Sequence, residues 1–183
     1  MPEITHLLRS ASAGDRAAAD RVVALLYDDL RRLAQQRLRQ SGDITLDATA
    51  LVHESYLKLQ QRSAELDFPD RRHFLAYAAR VMHTIVIDLA RARQSERRGG
   101  ELQQVTFNTG IAELAPQRDD EILRVHEALE ELAAMDERLA QVVEMRYFGG
   151  LIEGEIAEVL GVTERTVQRD WQKARLFLSM AMK

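Results

Sequence analysis

The chain reads as an all-α protein, two small helical domains joined by a flexible linker. Three observations predict this. Among 183 residues there are nine glycines and three prolines, and 46% of the chain is apolar, a balance rich in Ala, Leu, Arg and Glu that suits helices. Apolar side chains recur at three- and four-residue spacing, and residues 1–97 show no alternating strand pattern. From about residue 98 to 118, through GGELQQVTFNTG and Pro116, that period is lost and linker composition takes over. The length is enough for two cores.

The elements follow in order. Ile4, Leu7 and Leu8 predict a short helix over residues 3–13. Gly14 and Asp15 end it and cap a longer one, with Val22, Leu25, Leu26, Leu30, Leu33 and Leu38 on its buried side. Arg31, Arg32, Arg37 and Arg39 leave its far end electropositive. Residues 41–47 form a loop, and Asp47 is placed to cap the helix ATALVHESYLKLQQ, packed through Leu51, Val52, Tyr56, Leu57 and Leu59. A second loop runs from Arg62 to Arg72 with Pro69 as its breaker. From His73 to Arg91, Phe74, Tyr77, Val81, Ile85 and Leu89 line one stripe, so residues 1–97 make a first domain. After the 98–118 linker, EILRVHEALEEL and DERLAQVVEMRYF, the latter capped by Asp136, open a second domain over 119–183.

The stretch GLIEGEIAEVLGVTERTVQRDWQKAR is the most informative. Ile156, Ala157, Val159 and Leu160 form the apolar face of one helix, and Val167, Trp171 and Ala174 that of the next. A small Ala157, a turn glycine at Gly161 and a branched Val167 are the arrangement a helix-turn-helix needs. The first residue permits close crossing, the second accepts positive φ, and the third locks the helices together. Thr163 caps the second helix, whereas Ile152 brings no capping oxygen to the first and Gly154 weakens its first turn, predicting a frayed start. Arg165, Gln168, Arg169, Gln172, Lys173 and Arg175 occupy the other face, with groups that reach base edges and phosphates. An ordinary αα-hairpin with a solvated basic face is the plainer alternative.

The formal net charge of −4 is unevenly spread. Residues 1–98 carry sixteen basic and thirteen acidic side chains, residues 99–164 four and fifteen, and residues 165–183 five and one. Potential is screened over ~8 Å in physiological salt, so a basic last helix can act beneath an acidic total. The absence of cysteine excludes a disulfide, thiolate metal site or cysteine nucleophile and fits a cytoplasmic protein. No apolar run is long enough to span a bilayer. His6, His53, His73, His83 and His126 are scattered without ligand spacing, and no phosphate loop or nucleophile motif appears. We therefore expect no metal, no cofactor, no membrane partner and no catalysis.

On these residues the chain resembles bacterial RNA polymerase sigma factors of the extracytoplasmic-function (ECF) group, which join regions two and four by a linker. The likeness covers nearly the whole chain. MDERLAQVVEMRYFGGLIEGEIAEVLGVTERTVQRDWQKAR looks like region four, the most specific match. HFLAYAARVMHTIVID looks like the promoter-melting helix, and DATALVHESYLKL sits where the polymerase-clamp-binding helix lies. The resemblance implies core RNA polymerase and promoter DNA as partners. It implies −35 contacts through Arg165, Thr166, Gln168, Arg169, Gln172, Lys173 and Arg175, with Trp171 packing. It implies −10 contacts through Arg71, Arg72, His73, Tyr77, Arg80, His83 and Arg91, beside Arg62 and Arg93, with Phe74 read as core.

The clamp-binding stretch departs from the family. Relatives carry acidic residues where this chain has Thr49 and Ala50, and only Asp47 and Glu54 remain around Leu51. A phosphate on Thr49 restores about −1.5 to −2 charge there. The resemblance therefore extends to a class switched on by Ser/Thr kinases, with Thr49 as the modified residue and Thr45 or Ser55 as neighbouring alternatives. The other reading leaves Thr49 neutral and gives core binding to another surface. Whether an anti-sigma protein sequesters the chain stays open. The rival function is a stand-alone helix-turn-helix regulator.

Overall fold

The computed structural model describes residues 2–41, 46–62, 68–98 and 115–182, and among them every regular element is helical. Most of the sequence-predicted linker, and Thr45, lie outside the described residues, as does the side chain of Arg62. The first half holds α1 (Pro2–Ser12), α2 (Arg16–Leu25), α3 (Tyr27–Ser41), α4 (Ala48–Arg62) and α5 (Arg71–Arg98). The second holds α6 (Ala115–Met135), α7 (Glu137–Val143), a π-helical turn (Glu144–Phe148), α8 (Glu153–Leu160) and α9 (Glu164–Ala181).

Asp15 caps α2, accepting from the Ala18 N–H at 3.1 Å. The long helix expected after it is broken at Leu26, where ψ rises to 10°. The break turns Leu26 and Leu30 into the core and leaves Leu25 49% exposed, so Leu25 does not join the buried side expected for it. On α4 the buried stripe is Leu51, Val52, Ser55 and Leu59, a helical spacing that places Leu57 outside, also against expectation.

α5 organises the molecule. Its 28 residues extend about 42 Å at 1.5 Å per residue. One side packs on α3 and α4 around Leu30, Leu51, Met82 and Val86. The other side meets α6 and the π-helical turn, where Ile87 and Ala90 close on Leu123. The two halves thus have cores of their own and share a seam along α5.

In the second half Asp136 caps α7, accepting from the N–H groups of Arg138 and Leu139. The wider turn that follows carries Phe148 inside while Tyr147 stays exposed. Gly149 closes it, with its N–H on the Glu144 carbonyl at 2.9 Å. A Cβ there would lie 2.6 Å from the Met145 carbonyl oxygen, so the tight exit requires glycine.

Candidate nucleic-acid and polymerase interface

The helix-turn-helix is built from α8 and α9. Ile152 makes no side-chain cap bond at the start of α8, as expected, and the Glu155 carboxylate accepts the Ile152 N–H at 3.1 Å. Gly161 takes the left-handed turn at φ 64°, and Thr163 caps α9 by accepting the Thr166 N–H at 3.3 Å. Ile156, Ala157 and Val167 are buried together with Val142 and Leu151. Burying Ile156 and Val167 contributes about 1.5–3 kcal/mol each, which holds α9 at a fixed angle.

On the outer face of α9, Arg165, Gln168, Arg169, Gln172, Lys173 and Arg175 are all exposed. Thr166 is half-buried, its hydroxyl 3.0 Å from that of Thr163 at the cap. Gln168 donates its amide Nε2 to Glu153 Oε2 at 2.7 Å. The other Glu153 oxygen accepts from Arg146 at 2.6 Å, and the Arg146 guanidinium lies 4.7 Å above the Trp171 ring. Bonds from Gln168 first and Arg146 second lower the Glu153 pKa and keep it ionised. Trp171 packs between the two clusters of the second half.

Asp170 is buried beneath this basic face and accepts from Arg138 Nε at 2.7 Å. The pair ties α9 to α7, and removing one partner would strand a buried charge.

The residues predicted to meet the −10 element separate into two groups. Arg71 pairs with Asp29 at 2.6 Å, the His73 ring faces Asp70 at 3.0 Å, and Tyr77 rests 5.5 Å from Phe68. Arg91 is exposed and Phe74 is buried. The other group faces the second half. Arg72 pairs with Glu158 and lies 4.0 Å from Glu155, while Arg80 lies 3.7 Å from Glu144. Arg93 joins Asp119 at 2.6 Å.

His83 must be reassigned. At 4% exposure it cannot reach a nucleic acid in this arrangement, because α5 turns it into the seam. Its ring stacks on Phe148 with centroids 4.5 Å apart, its Nδ1 meets the Arg37 guanidinium, and its Nε2 lies 3.3 Å from His126 Nδ1. Burial, then the charges of Arg37, His126 and Arg80, push its pKa down to about 2, so the imidazole is neutral. Burial also lowers Arg37 to about 10, and that guanidinium covers the Phe148 ring at 4.1 Å. Glu144 is raised by burial, with Arg80 opposing.

On α4 the Asp47 carboxylate accepts the Ala50 N–H at 2.8 Å, so it caps the helix. Thr49 and Glu54 are exposed and Ala50 is half-buried. Leu51, placed by sequence at the polymerase surface, is fully buried against the first core and supports α4 from within. Ser55 is buried too, its hydroxyl donating to the Leu51 carbonyl at 2.7 Å, which closes it to modification.

Among the described residues, no group of three or more His, Asp or Glu side chains could hold a metal ion, and no helix is long and apolar enough to cross a membrane. The sequence reading passed over Glu153, Glu144, Glu158 and Asp170. Only Asp170 left a signal, as the single acid within 165–183.

The profile of the ECF sigma factor family matches residues 1–183. The probable RNA polymerase sigma factor RfaY of Xanthomonas campestris pv. campestris is 24% identical over 176 residues. That alignment takes in 93% of this chain and 42% of the relative, so the chain spans less than half that protein's length. The solved structure of CnrH in complex with the cytosolic domain of CnrY is similar at 23% identity and a TM-score of 0.45, covering 98% of this chain and 97% of CnrH.

Proposed function

This chain belongs to the ECF sigma factor family, and from that premise we propose that it binds core RNA polymerase and directs promoter-specific transcription initiation. Residues 1–97 bind the polymerase and open the −10 element, 98–118 link, and 119–183 read the −35 element. The observation that carries this reading is the basic outer face of α9, exposed on a closed helix-turn-helix inside a chain that the family profile matches from end to end. A stand-alone regulator is disfavoured, since it has no need of the helical first half that the same profile covers. The protein acts by binding and is not an enzyme.

The polymerase meets the exposed side of α4, through Asp47, Thr49, Ala50 and Glu54. Phosphorylation of Thr49 by a Ser/Thr kinase switches this surface on. The threonine is exposed in the first turn of α4, where the helix N-terminus favours added negative charge. Run-off transcription with purified core polymerase tests both statements. The expected result is a specific transcript from the kinase-treated protein and from Thr49→Glu, with Thr49→Ala inactive under either condition. Full activity of untreated Thr49→Ala would remove the switch, and no transcript from any form would remove the sigma reading.

A further inference from the structure

The carboxylate of Glu153 lies at the edge of the face that α9 offers to nucleic acid. There it accepts from a residue placed to read a base, with Gln168 Nε2 2.7 Å from its Oε2. An ionised carboxylate has no proton to donate, so the nitrogen end of the Gln168 amide must face it and the carbonyl Oε1 must face away. Rotating the amide by half a turn would set oxygen against oxygen. Glu153 cannot easily swing aside, because Arg146 holds its second oxygen at 2.6 Å while lying 4.7 Å above the Trp171 ring.

A free glutamine reads either polarity, since its amide ends are alike in size and its terminal torsion is soft. A glutamine held at its nitrogen end turns its carbonyl oxygen outward as an acceptor, with the second amide N–H beside it. In the major groove the complementary donors are the amino groups of adenine N6 and cytosine N4, whereas guanine O6 and thymine O4 are themselves acceptors. We propose that Glu153 is a specificity-determining positioning residue, which fixes Gln168 as a hydrogen-bond acceptor and so selects an amino-bearing base, A or C, at one position of the upstream promoter element. This rests on the transcription-initiation reading. Glu153 touches no base; it acts through Gln168.

The test is run-off transcription by core polymerase with the 183-residue chain carrying Thr49→Glu, taken as wild type at positions 153 and 168, on templates carrying each of the four bases in turn at every upstream-element position. Glu153→Gln keeps the side-chain size, but with its one carbonyl oxygen taken by Arg146 its NH2 faces Gln168 and favours the flipped amide. In the wild type, one position should favour A or C over G or T by about tenfold, the scale of one well-placed polar contact. Glu153→Gln should reduce that ratio below about twofold there and leave the other positions unchanged. Gln168→Ala should erase the same preference, and the double variant should match Gln168→Ala. A merely structural role for Glu153 would lower transcription from all templates alike. An unchanged base ratio in Glu153→Gln, or a change at a position Gln168→Ala leaves alone, would overturn the inference with the sigma reading intact. Failure of the wild type on every template would overturn both.

Discussion

Acid should weaken the seam between the two halves through His83. The imidazole is 4% exposed, stacked on Phe148 and set against the Arg37 guanidinium. Its pKa falls from 6.5 to about 2, burial being the first cause and the Arg37, His126 and Arg80 charges following. An unfolded chain takes up a proton at this site below about pH 6.5, and the folded chain refuses it. The stability contributed by neutral His83 is therefore complete above that pH and is lost as pH drops. Each pH unit below 6.5 costs about 1.4 kcal/mol, giving about 2 kcal/mol at pH 5.0. The figure holds for any folded pKa well under 5. His126, lowered mainly by burial, adds in the same direction, and Glu144, raised by burial, opposes it. Both remain in a His83→Gln variant, whose side chain can still accept from Arg37 but does not titrate. Urea unfolding followed by the fluorescence of Trp171, the single tryptophan, gives the stability of each protein at pH 7.5 and 5.0. Wild type should lose about 2 kcal/mol more than the variant over that interval. A difference that stays constant with pH would show that His83 is not the buried neutral group described, and the reasoning would fail.

Three further outcomes follow from the same geometry. Thr163→Ala removes the α9 cap and should cost about 1 kcal/mol in urea unfolding, with weaker promoter binding in a mobility-shift assay of the holoenzyme. Phe148→Ala deletes the ring shared by His83 and Arg37 and should cost about 3–5 kcal/mol, with a larger radius of gyration in X-ray scattering as the halves part. Arg80→Ala should change stability by under about 1 kcal/mol, since its pairing with Glu144 is at an exposed side chain, yet it should reduce promoter opening read by permanganate footprinting.

Much of the fold could be read from local pattern. The cap at Asp15, the left-handed Gly161 and the Thr163 start of α9 depend on neighbours within four residues, and sequence spacing reports such contacts directly. The exposed row on α9 follows from the same periodicity. The break at Leu26 was not legible, because either backbone path keeps the apolar spacing and only packing against α4 and α5 separates them. The start of α8 escaped for a different reason. Glu155 reaches back from the third position to accept the Ile152 N–H, the half of a capping box that does not depend on the side chain at the cap itself.

By itself the sequence determined an all-helical chain, the positions of most helices and a basic reading face on the last one, since all three follow from spacing along a single helix. Tertiary structure alone decided which side chains meet across more than forty residues. It turned His83 from a nucleic-acid contact into a buried partner of Arg37, placed Arg72 and Arg80 beside acids of the second half, and buried Leu51 of α4 in the first core. It also set Glu153 against Gln168, fifteen residues away. Charge and hydropathy say that a residue can bury or pair; only the packing of one helix on another supplies the partner.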